Sequence, residues 1–463
     1  YHEGMPRWHA TYRRWVLARQ YRFARERLAP YFFDALTAYA LALARLGVEG
    51  AKEAAEALRE LRTLPLPSFT GEVEDVFFSI YAQLEEHWGK EVAGAVRRGL
   101  SRNDLDLTVF RSYLRDRLIA LLADLHRLRR EVLRRAAEHP LTPIVMYTHH
   151  RPAQPTALGH YLLGVESLLA RDSGRLFSAL STLSRAPLGA SALAGSPYPI
   201  DRVYLAQLLG FEAPVENTLD AVAAGDYAAE MAAALSILGS SLSRFIHDLL
   251  SWAERGGFLV GERVAQGSSL MPQKHNPVVL EHARVYAGRL LGGVHTLLAL
   301  VHNTPFTDLN DHSTGVLEPL DELLEVGEAA LELLRVALEE SVFIPENLLS
   351  GLEPSLFASE VVDLLVQKGL PLEEAYARVR QALPDLSPEA LGLSEVEWQQ
   401  ALSLEAFLER RKVLGGASRA AQEESLRRAR KRLKEDLRVL ALHRARVKEA
   451  RRLLSELVPA SAP

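Results

Sequence analysis

The sequence contains no cysteine among its 463 residues. This absence excludes disulfide bonds, catalysis by a thiol and metal centres with cysteine ligands. A chain without cysteine is compatible with a reducing compartment, and we predict a cytoplasmic protein.

Long apolar segments and a strong excess of one charge are also absent. No stretch approaches the roughly 18–20 consecutive apolar residues that a transmembrane helix requires, and the N-terminus lacks the pattern of a signal peptide. The formal net charge is −5, which provides no general attraction to nucleic acid or acidic membranes. The basic run at 427–434 lacks interleaved aromatic residues and fits a solvated helix face better than a nucleic-acid site. We expect neither nucleic-acid nor membrane partners.

Leucines spaced three and four residues apart dominate the sequence and predict helices. One such helix face contains Leu114, Leu118, Leu121, Leu125 and Leu128. Long helical patterns also cover residues 217–253 and 278–302. No series of alternating strand segments is present. The predicted fold class is therefore all-α.

Stretches rich in helix-breaking residues divide these helices into three regions. Loops are predicted at 64–75, 142–156, 186–215 and 342–355. We predict an N-terminal helical domain at 1–100, a central helical bundle at 101–343 and a C-terminal helical domain at 344–463. The central helices are apolar around most of their circumference, and such helices need partners on several sides. A bundle assembled from several chains would supply those partners.

The stretch GSSLMPQKHNP at 267–277 places much polar chemistry in one loop before a helical pattern. The Asn276-Pro277 pair predicts a capped helix start, whose free N–H groups would face an anion. The other polar groups of the loop are Lys274, Ser268 and Ser269. Together they suit a carboxylate substrate that loses a proton from the adjacent carbon. The competing interpretation is an ordinary helix cap beside an exposed lysine.

Three stretches resemble, in the same order, the motifs of the fumarase/aspartase superfamily: SRND at 101–104, YTHHRPAQP at 147–155 and the loop at 267–277. Four others resemble the argininosuccinate lyase family: PLGASALAGSPYPIDR at 187–202, NTLDAVAAGDYAAE at 217–230, ASEVVDLLVQKGLP at 358–371 and RRKVLGGAS at 410–418. The similarity extends from about residue 20 to the end of the chain. The sequence is identified as a member of this family.

The resemblance implies an α-helical carbon–nitrogen lyase that converts argininosuccinate, a dicarboxylate-type substrate, into arginine and fumarate by β-elimination. It further implies a homotetramer with a twenty-helix core, in which each active site gathers the three motifs from three subunits. We expect no cofactor and no metal. The histidine pair at 149–150 could bind a metal, but no HExxH-type or acidic spacing accompanies it.

The resemblance also implies a role for each matched residue. Ser268 corresponds to the general base, whose ionisation Lys274 and the helix N-terminus would favour. His149 corresponds to a histidine that assists the acid-side chemistry, and Glu281 to the carboxylate that orients it. Lys274 and Asn276 would hold the substrate carboxylate. The residues implied to hold the substrate are Ser101, Arg102, Asn103, Thr148, Ser269, Asn276 and Asn310.

Several positions depart from the family pattern, and we interpret them as lying on the substrate side. They are Tyr21, Arg25, Phe77, Leu105, Asn310 and Ser313. Such changes predict altered substrate recognition with the elimination chemistry retained. Argininosuccinate is the leading substrate, and a paralogous lyase acting on another N-substituted aspartate is an alternative. A catalytically silent structural homologue is a third hypothesis, which the joint presence of the predicted catalytic residues disfavours.

Overall fold

Helices built on the leucine pattern form most of the chain in the computed structural model, which describes residues 7–458. The all-α prediction is confirmed. The N-terminal helices are α1 (Ala10–Tyr12), α2 (Ala18–Phe23), α3 (Ala29–Arg45), α4 (Ala51–Leu61) and α5 (Val76–Ala95), with π-helical turns at Arg13–Leu17 and Ala24–Leu28.

The predicted loop at 64–75 is confirmed and lies between α4 and α5, and the central helices follow α5. They are α6 (Arg102–Glu138), α7 (Leu158–Leu183), α8 (Arg202–Leu208), α9 (Thr218–Ala223), α10 (Asp226–Glu254), α11 (Val278–Leu291), α12 (Gly293–Val301) and α13 (Thr314–Glu339). The C-terminal helices are α14 (Pro345–Leu348), α15 (Ala358–Gln367), α16 (Leu372–Ala382), α17 (Pro388–Leu391), α18 (Glu395–Ala401), α19 (Leu404–Glu409) and α20 (Arg419–Leu457). Short 3-10 turns lie at Glu262–Val264, Asn310–His312 and Pro354–Phe357.

Glycines divide two segments that the sequence predicts as continuous helices. The predicted helix at 278–302 is interrupted between α11 and α12, where a Cβ on Gly293 would lie 2.5 Å from Leu323. The predicted helix at 217–253 begins as α9 and restarts as α10 after Gly225, where a Cβ would lie 2.8 Å from Val301. Both breaks occur where the backbone approaches a neighbouring side chain too closely for a larger residue.

Short strands occupy the connections between helices. They are β1 (Pro143–Thr148), β2 (Arg151–Ala157), β3 (Arg185–Ala186), β4 (Ala213–Pro214), β5 (Phe258–Leu259), β6 (Gln266–Gly267), β7 (His275–Asn276) and β8 (Val342–Phe343). The pairs are β1–β2, β5–β8 and β6–β7, all antiparallel, and β3–β4, which is parallel. The prediction of a loop at 142–156 is wrong, because β1 and β2 form a hairpin there. Two-stranded sheets have free edges, so this hairpin tolerates its prolines.

Five helices, α6, α7, α10, α11 and α13, pack together as the central bundle. Leu158 N–H donates to the Thr142 carbonyl at 2.8 Å, so α7 starts where α6 ends. The β1–β2 hairpin lies between them, and we call this the hairpin end of the bundle. The opposite end, where α6 begins, is called the α6-start end.

The remaining bundle helices can be assigned to the same two ends. Ser236 in the first half of α10 donates to the Leu290 carbonyl at the end of α11 at 2.8 Å, so α10 and α11 are antiparallel. Tyr161 near the start of α7 donates to Asp248 near the end of α10 at 2.5 Å, so the segment 255–277 that follows α10 lies at the hairpin end. Arg135 donates to the Ser341 carbonyl at 2.9 Å, which places the end of α13 there as well.

The largest hydrophobic core joins the N-terminal helices, the central bundle and α20. A smaller core lies within residues 361–401, and a third packs Val145 of the hairpin against Phe357 and Phe407. The predicted domain boundaries stay predictions. Among the helices of residues 7–458, none combines the length and apolar character needed to span a membrane.

A buried ion pair links three of the long helices. Arg129 on α6 and Glu166 on α7 are both fully buried and lie 2.8 Å apart. Arg129 also contacts Ser173 on α7 and Asp436 on α20. Because a buried charge that loses its partner is strongly destabilising, this cluster holds α20 against the bundle only while it is complete.

We expect Arg129→Met to lower the free energy of unfolding by about 3–5 kcal/mol, because it removes the buried cation 2.8 Å from Glu166 and leaves as its ionic partner the partly exposed Arg432, at 3.5 Å. Urea denaturation measures the change. The control is Arg438→Met, which removes a pair with Glu435 at the surface and should leave stability nearly unchanged, because solvent screens an exposed pair. Equal losses of unfolding free energy in the two variants would contradict the claim that burial makes the Arg129–Glu166 pair important.

Candidate active site

The first motif begins α6 with a capping box. The Ser101 hydroxyl accepts a hydrogen bond from the Asn103 N–H at 3.2 Å, and the Asp104 carboxylate accepts from the Ser101 N–H at 3.1 Å. This reciprocal arrangement satisfies free N–H groups of the first helical turn. Ser101 is half-buried, so part of its side chain still faces the α6-start end.

Arg102 is held by carboxylates of its own chain. It donates to both oxygens of Asp106 at 2.9 and 3.1 Å and to Asp75 at 2.6 Å, and its guanidinium lies 4.7 Å from the Phe77 ring centre. Burial raises the pKa of Asp106 to about 6, with Arg102 acting in the opposite direction. Three of the five guanidinium N–H donors are therefore occupied before any substrate binds. The predicted contact between Arg102 and a substrate would depend on the other donors.

Asn103 and Asn310 both belong to the α6-start end. Asn103 Nδ2 donates to the Ala192 carbonyl at 3.0 Å. Asn310 is exposed and its Oδ1 accepts a hydrogen bond from Thr314 at 3.3 Å. The turn that contains Asn310 lies beside α10, because Tyr227 donates to the His312 carbonyl at 3.2 Å.

The second motif places its histidines on the two-residue turn of the β1–β2 hairpin. His149 and His150 have φ angles of 52° and 62°, which is the left-handed region required at both central positions of a type I′ turn. Asn-Gly is the usual sequence for such a turn, whereas histidine is strained there. Thr148 and both histidines are exposed. The hairpin therefore presents these three side chains to whatever docks at its tip.

A cavity of about 930 Å³ lies between the hairpin, α7 and α10. Its lining includes Thr148 and Gln154 of the hairpin together with Tyr161 and Arg244. His160 also lines it, with its ring held between the Thr156 hydroxyl at 2.8 Å and the Gly415 carbonyl at 2.9 Å. Of these residues, Thr148 alone is predicted from the sequence to hold the substrate. The spacing of Tyr161 and Arg244 along the chain does not separate them from ordinary helix residues.

The third motif forms a small hairpin of its own, β6–β7. The Ser268 hydroxyl oxygen accepts hydrogen bonds from the Leu270 and Met271 N–H groups at 3.3 and 2.9 Å. Ser269 and Lys274 are exposed. The two N–H donors favour negative charge on the Ser268 oxygen. The loop thus supplies a polarised hydroxyl near an exposed ammonium group on a surface open to solvent.

The predicted capping role of Asn276 is wrong. Asn276 belongs to β7, where it pairs with Gln266, and α11 begins at Val278 with Pro277 in the cap position. The cap makes no side-chain hydrogen bond. The antiparallel pairing of β6 with β7 extends the chain up to Pro277, which keeps Asn276 out of the helix. Its side chain remains half-buried beside the loop.

One chain does not bring the three motifs together. Helix α6 has 37 residues, and its rise of 1.5 Å per residue makes it about 55 Å long. Ser101 and Asn103 lie at the α6-start end, whereas the second and third motifs lie at the hairpin end. The histidine–carboxylate pairs in residues 7–458 involve His312 and His443, so the predicted pairing of Glu281 with His149 is not formed within the chain.

Most departures from the family pattern lie in the interior rather than at the surface a substrate would reach. The buried ones are Tyr21, Phe77, Leu105 and Ser313. The Tyr21 hydroxyl contacts Pro67 and Ser79, and Leu105 is 0 % exposed. Arg25 donates to the Leu66 carbonyl at 3.0 Å. These positions pack within the chain, and one of them, Phe77, contacts the guanidinium of Arg102, so altered substrate recognition stays a prediction.

No set of three or more histidine, aspartate and glutamate side chains in residues 7–458 is grouped to hold a metal ion. The chemical groups at the three motifs are hydroxyls, amides, imidazoles, an ammonium, two guanidinium groups and a carboxylate. These groups can bind carboxylates and transfer protons.

Comparison with known proteins supplies the family. Residues 12–292 match the protein-family model described as Lyase. The chain is 38% identical to argininosuccinate lyase of Thermus thermophilus over 379 residues, which cover 78% of this chain and 82% of the relative. It is 34% identical to argininosuccinate lyase 2 of Agrobacterium fabrum over 410 residues, covering 82% and 81%.

A solved structure agrees with these sequence relatives. The structure of EDDS lyase in complex with formate has a TM-score of 0.85 and 25% identity to this chain, and the match covers 95% of this chain and 94% of that one. The fold, the family match and the two relatives therefore agree: the chain belongs to the argininosuccinate lyase family of the fumarase/aspartase superfamily and is a carbon–nitrogen lyase.

Proposed function

We propose that the protein cleaves argininosuccinate into arginine and fumarate. The observation that carries this proposal is the similarity to argininosuccinate lyases over about four-fifths of both chains. In this reaction a base removes a proton from the carbon beside the C–N bond. The bond then breaks, the nitrogen leaves with a proton as part of arginine, and the carbon skeleton becomes fumarate.

Ser268 is the base in this proposal. Its oxygen already accepts two backbone N–H hydrogen bonds, and these favour the ionised form that proton abstraction requires. Lys274, Asn276 and Ser269 hold the carboxylate next to the reacting carbon, where negative charge increases as the proton leaves. Donors fixed around that carboxylate stabilise the transition state more than the ground state.

His149 assists on the acid side, and Thr148 holds the substrate beside it. Because His149 lies at the tip of a rigid type I′ turn, a docking partner meets it in one orientation. Glu281, exposed in the first turn of α11, orients a histidine that belongs to another chain. Such a carboxylate fixes the imidazole tautomer and favours its protonated form.

The complete site requires several copies of the chain. The span of about 55 Å along α6 separates Ser101, Arg102, Asn103 and Asn310 from the hairpin and the Ser268 loop. Helices α11 and α12 leave Val285, Leu291 and Leu298 exposed by 57%, 45% and 50%. Apolar faces of this kind mark contacts between subunits. We propose a homotetramer in which each site takes its three motifs from three chains.

The test is direct. Purified protein is incubated with argininosuccinate, and the ultraviolet absorbance of fumarate is recorded over time. Release of equal amounts of fumarate and arginine supports the proposal. Absence of both products at high protein concentration overturns it, and would favour either a silent structural homologue or a lyase with another substrate.

A second candidate is a lyase acting on another N-substituted aspartate. The match to EDDS lyase over 95% of this chain favours it. The same assay distinguishes the candidates if a panel of N-substituted aspartates replaces argininosuccinate, because each releases fumarate. A cytoplasmic location stays a proposal, supported by the cysteine-free composition.

We predict that residues 262–276 form a lid that closes over the substrate. Leu270 is 85% exposed and the segment is held mainly by the short β6–β7 pairing. Closure would exclude water and bring Ser268 to the reacting carbon. Hydrogen exchange of this segment should slow at least about tenfold when fumarate and arginine are added together, since closure protects its amides. An unchanged exchange rate, with binding verified by calorimetry, would contradict a lid.

A further inference from the structure

Asp104 is a fully buried carboxylate directly after the three residues predicted to hold the substrate. One oxygen accepts the Ser101 N–H at 3.1 Å, and the other accepts the N–H groups of Gly189 and Ser191 at 3.0 and 2.9 Å. A single carboxylate therefore joins the start of α6 to a loop 85 residues further along the chain. The capping of α6 requires the first of these bonds but neither of the others.

The loop that Asp104 binds is held in an uncommon backbone conformation. Gly189 has a φ of 94° and Ser191 a φ of 57°, which is unfavourable for a residue other than glycine. A Cβ on Gly189 would lie 2.7 Å from Arg202 Cγ, and the Arg202 side chain donates to the Leu188 carbonyl at 3.2 Å. Successive N–H groups in such a loop converge on one anion, and here that anion is Asp104.

The loop in turn orients Asn103. The Ala192 carbonyl, one residue after Ser191, accepts the hydrogen bond from Asn103 Nδ2 at 3.0 Å. The bond uses one of the two N–H groups of Nδ2 and fixes the orientation of the amide, so the Oδ1 acceptor and the second N–H donor are presented in one arrangement. The Oδ1 acceptor fits an N–H group of the substrate. Without the loop, the amide could rotate and exchange the positions of its donor and acceptor.

We infer that Asp104 is a positioning residue of the lyase reaction: it fixes the loop at 189–192, whose Ala192 carbonyl sets the orientation of the Asn103 amide toward the substrate. This inference rests on the proposed function. Asp104, the fourth residue of the SRND motif, would thus act on the substrate through Asn103, the third.

The charges around Asp104 support an anchor that depends on all three N–H donors. The Arg202 guanidinium and the Tyr39 phenol both interact electrostatically with Asp104, and the Tyr39 hydroxyl donates to the Arg98 carbonyl. Burial raises the pKa of Asp104 to about 7, while the N–H donors of Ser191, Gly189 and Ser101 oppose that shift. Losing any donor would therefore make the ionised anchor less favourable.

The test is a double-mutant cycle on argininosuccinate cleavage. Asp104→Asn keeps the shape but turns one acceptor into an NH2 group that faces N–H donors, so the loop is released. We expect kcat/KM to fall by about a hundredfold, the loss that a misplacement of ~1 Å can cause, mainly through KM. In an Asn103→Ala background the same change should cost no more than about threefold, because its target is gone.

A matched control tests whether loss of any buried carboxylate has the same effect, and a second variant is available if the first does not fold. Asp172→Asn removes a buried carboxylate that pairs with Arg175 in the middle of α7, and should leave kcat/KM within about twofold. If Asp104→Asn does not fold, Gly189→Ala displaces the same loop and should show the same coupling to Asn103.

Equal losses from Asp104→Asn in both backgrounds would overturn the inference, because Asp104 would then act on the fold alone. Loss of kcat/KM in the Asp172→Asn control as large as in Asp104→Asn would overturn it too. Wild-type turnover is measured first: its absence overturns the proposed substrate, whereas turnover without coupling overturns the role of Asp104 only.

Discussion

Ser268→Ala is expected to lower kcat by at least about a thousandfold, within the range that a proton-transfer group contributes. The substrate affinity should change by only a few fold, because Lys274, Asn276 and Ser269 remain to hold the carboxylate. The two backbone N–H groups that donate to the Ser268 hydroxyl would instead donate to water, because the loop is exposed. The substitution should therefore leave the fold unchanged. Steady-state kinetics and calorimetric binding of the unreacted substrate measure the two quantities separately.

Lys274→Ala is the matched comparison, since its charge acts in the ground state and the transition state alike. It should weaken binding and turnover together. A Ser268→Ala enzyme that kept more than about a tenth of wild-type kcat, well above the usual loss of a proton-transfer group, would exclude Ser268 as the base. His149 would then be the first candidate for that role.

Mixing two variants of low activity should raise the activity. Asn103→Ala disables the α6-start end, and Ser268→Ala disables the hairpin end, about 55 Å away along α6. In randomly mixed tetramers about a quarter of the sites would take an intact Asn103 from one chain and an intact Ser268 from another, if the sites are shared between subunits. The mixture should therefore reach about a quarter of wild-type activity, measured as fumarate release after exchange of subunits.

The control for this experiment is a mixture of two separately prepared batches of Ser268→Ala, which cannot regain a base in any combination. Subunit exchange is verified by mass spectrometry of the intact assemblies. If hybrids form and activity stays at the level of the single variants, the motifs are not shared between chains. A monomer by light scattering would exclude the tetramer itself.

The helices were predictable because their leucines repeat at the helical period, and the periodic face from Leu114 to Leu128 lies in α6, where all five leucines are buried. The hairpin was not predictable, because its sequence lacks both a strand pattern and the usual turn signal. Its sequence carries prolines and two adjacent histidines in place of the Asn-Gly that favours a type I′ turn. Tertiary packing of Val145 against Phe357 and Phe407 determines that conformation, and such contacts leave no periodic trace in the sequence.

The candidate site was also predictable only in part. The three motifs identify Ser268, His149 and Asn103 by resemblance, but the sequence does not show that Asp104 anchors a loop 85 residues away. Nor does it show that Tyr21 and Leu105 are interior residues. Asn276 shows the limit of local rules, because strand pairing with Gln266 overrides a favourable cap sequence.

In the proposed tetramer, the length of helix α6 sets the distance between active sites at the two ends of the bundle. If each active site takes motifs from both ends of such bundles, the 37 residues of α6 determine how far apart neighbouring sites lie. Inserting one residue in the middle of α6 would rotate everything beyond it by about 100° and lengthen the helix by about 1.5 Å. The motifs at the two ends of α6 would then be misaligned with their partner chains. An insertion in the turn at 140–142 would displace the hairpin alone, so the length of α6 should tolerate far less change than the loops at its ends.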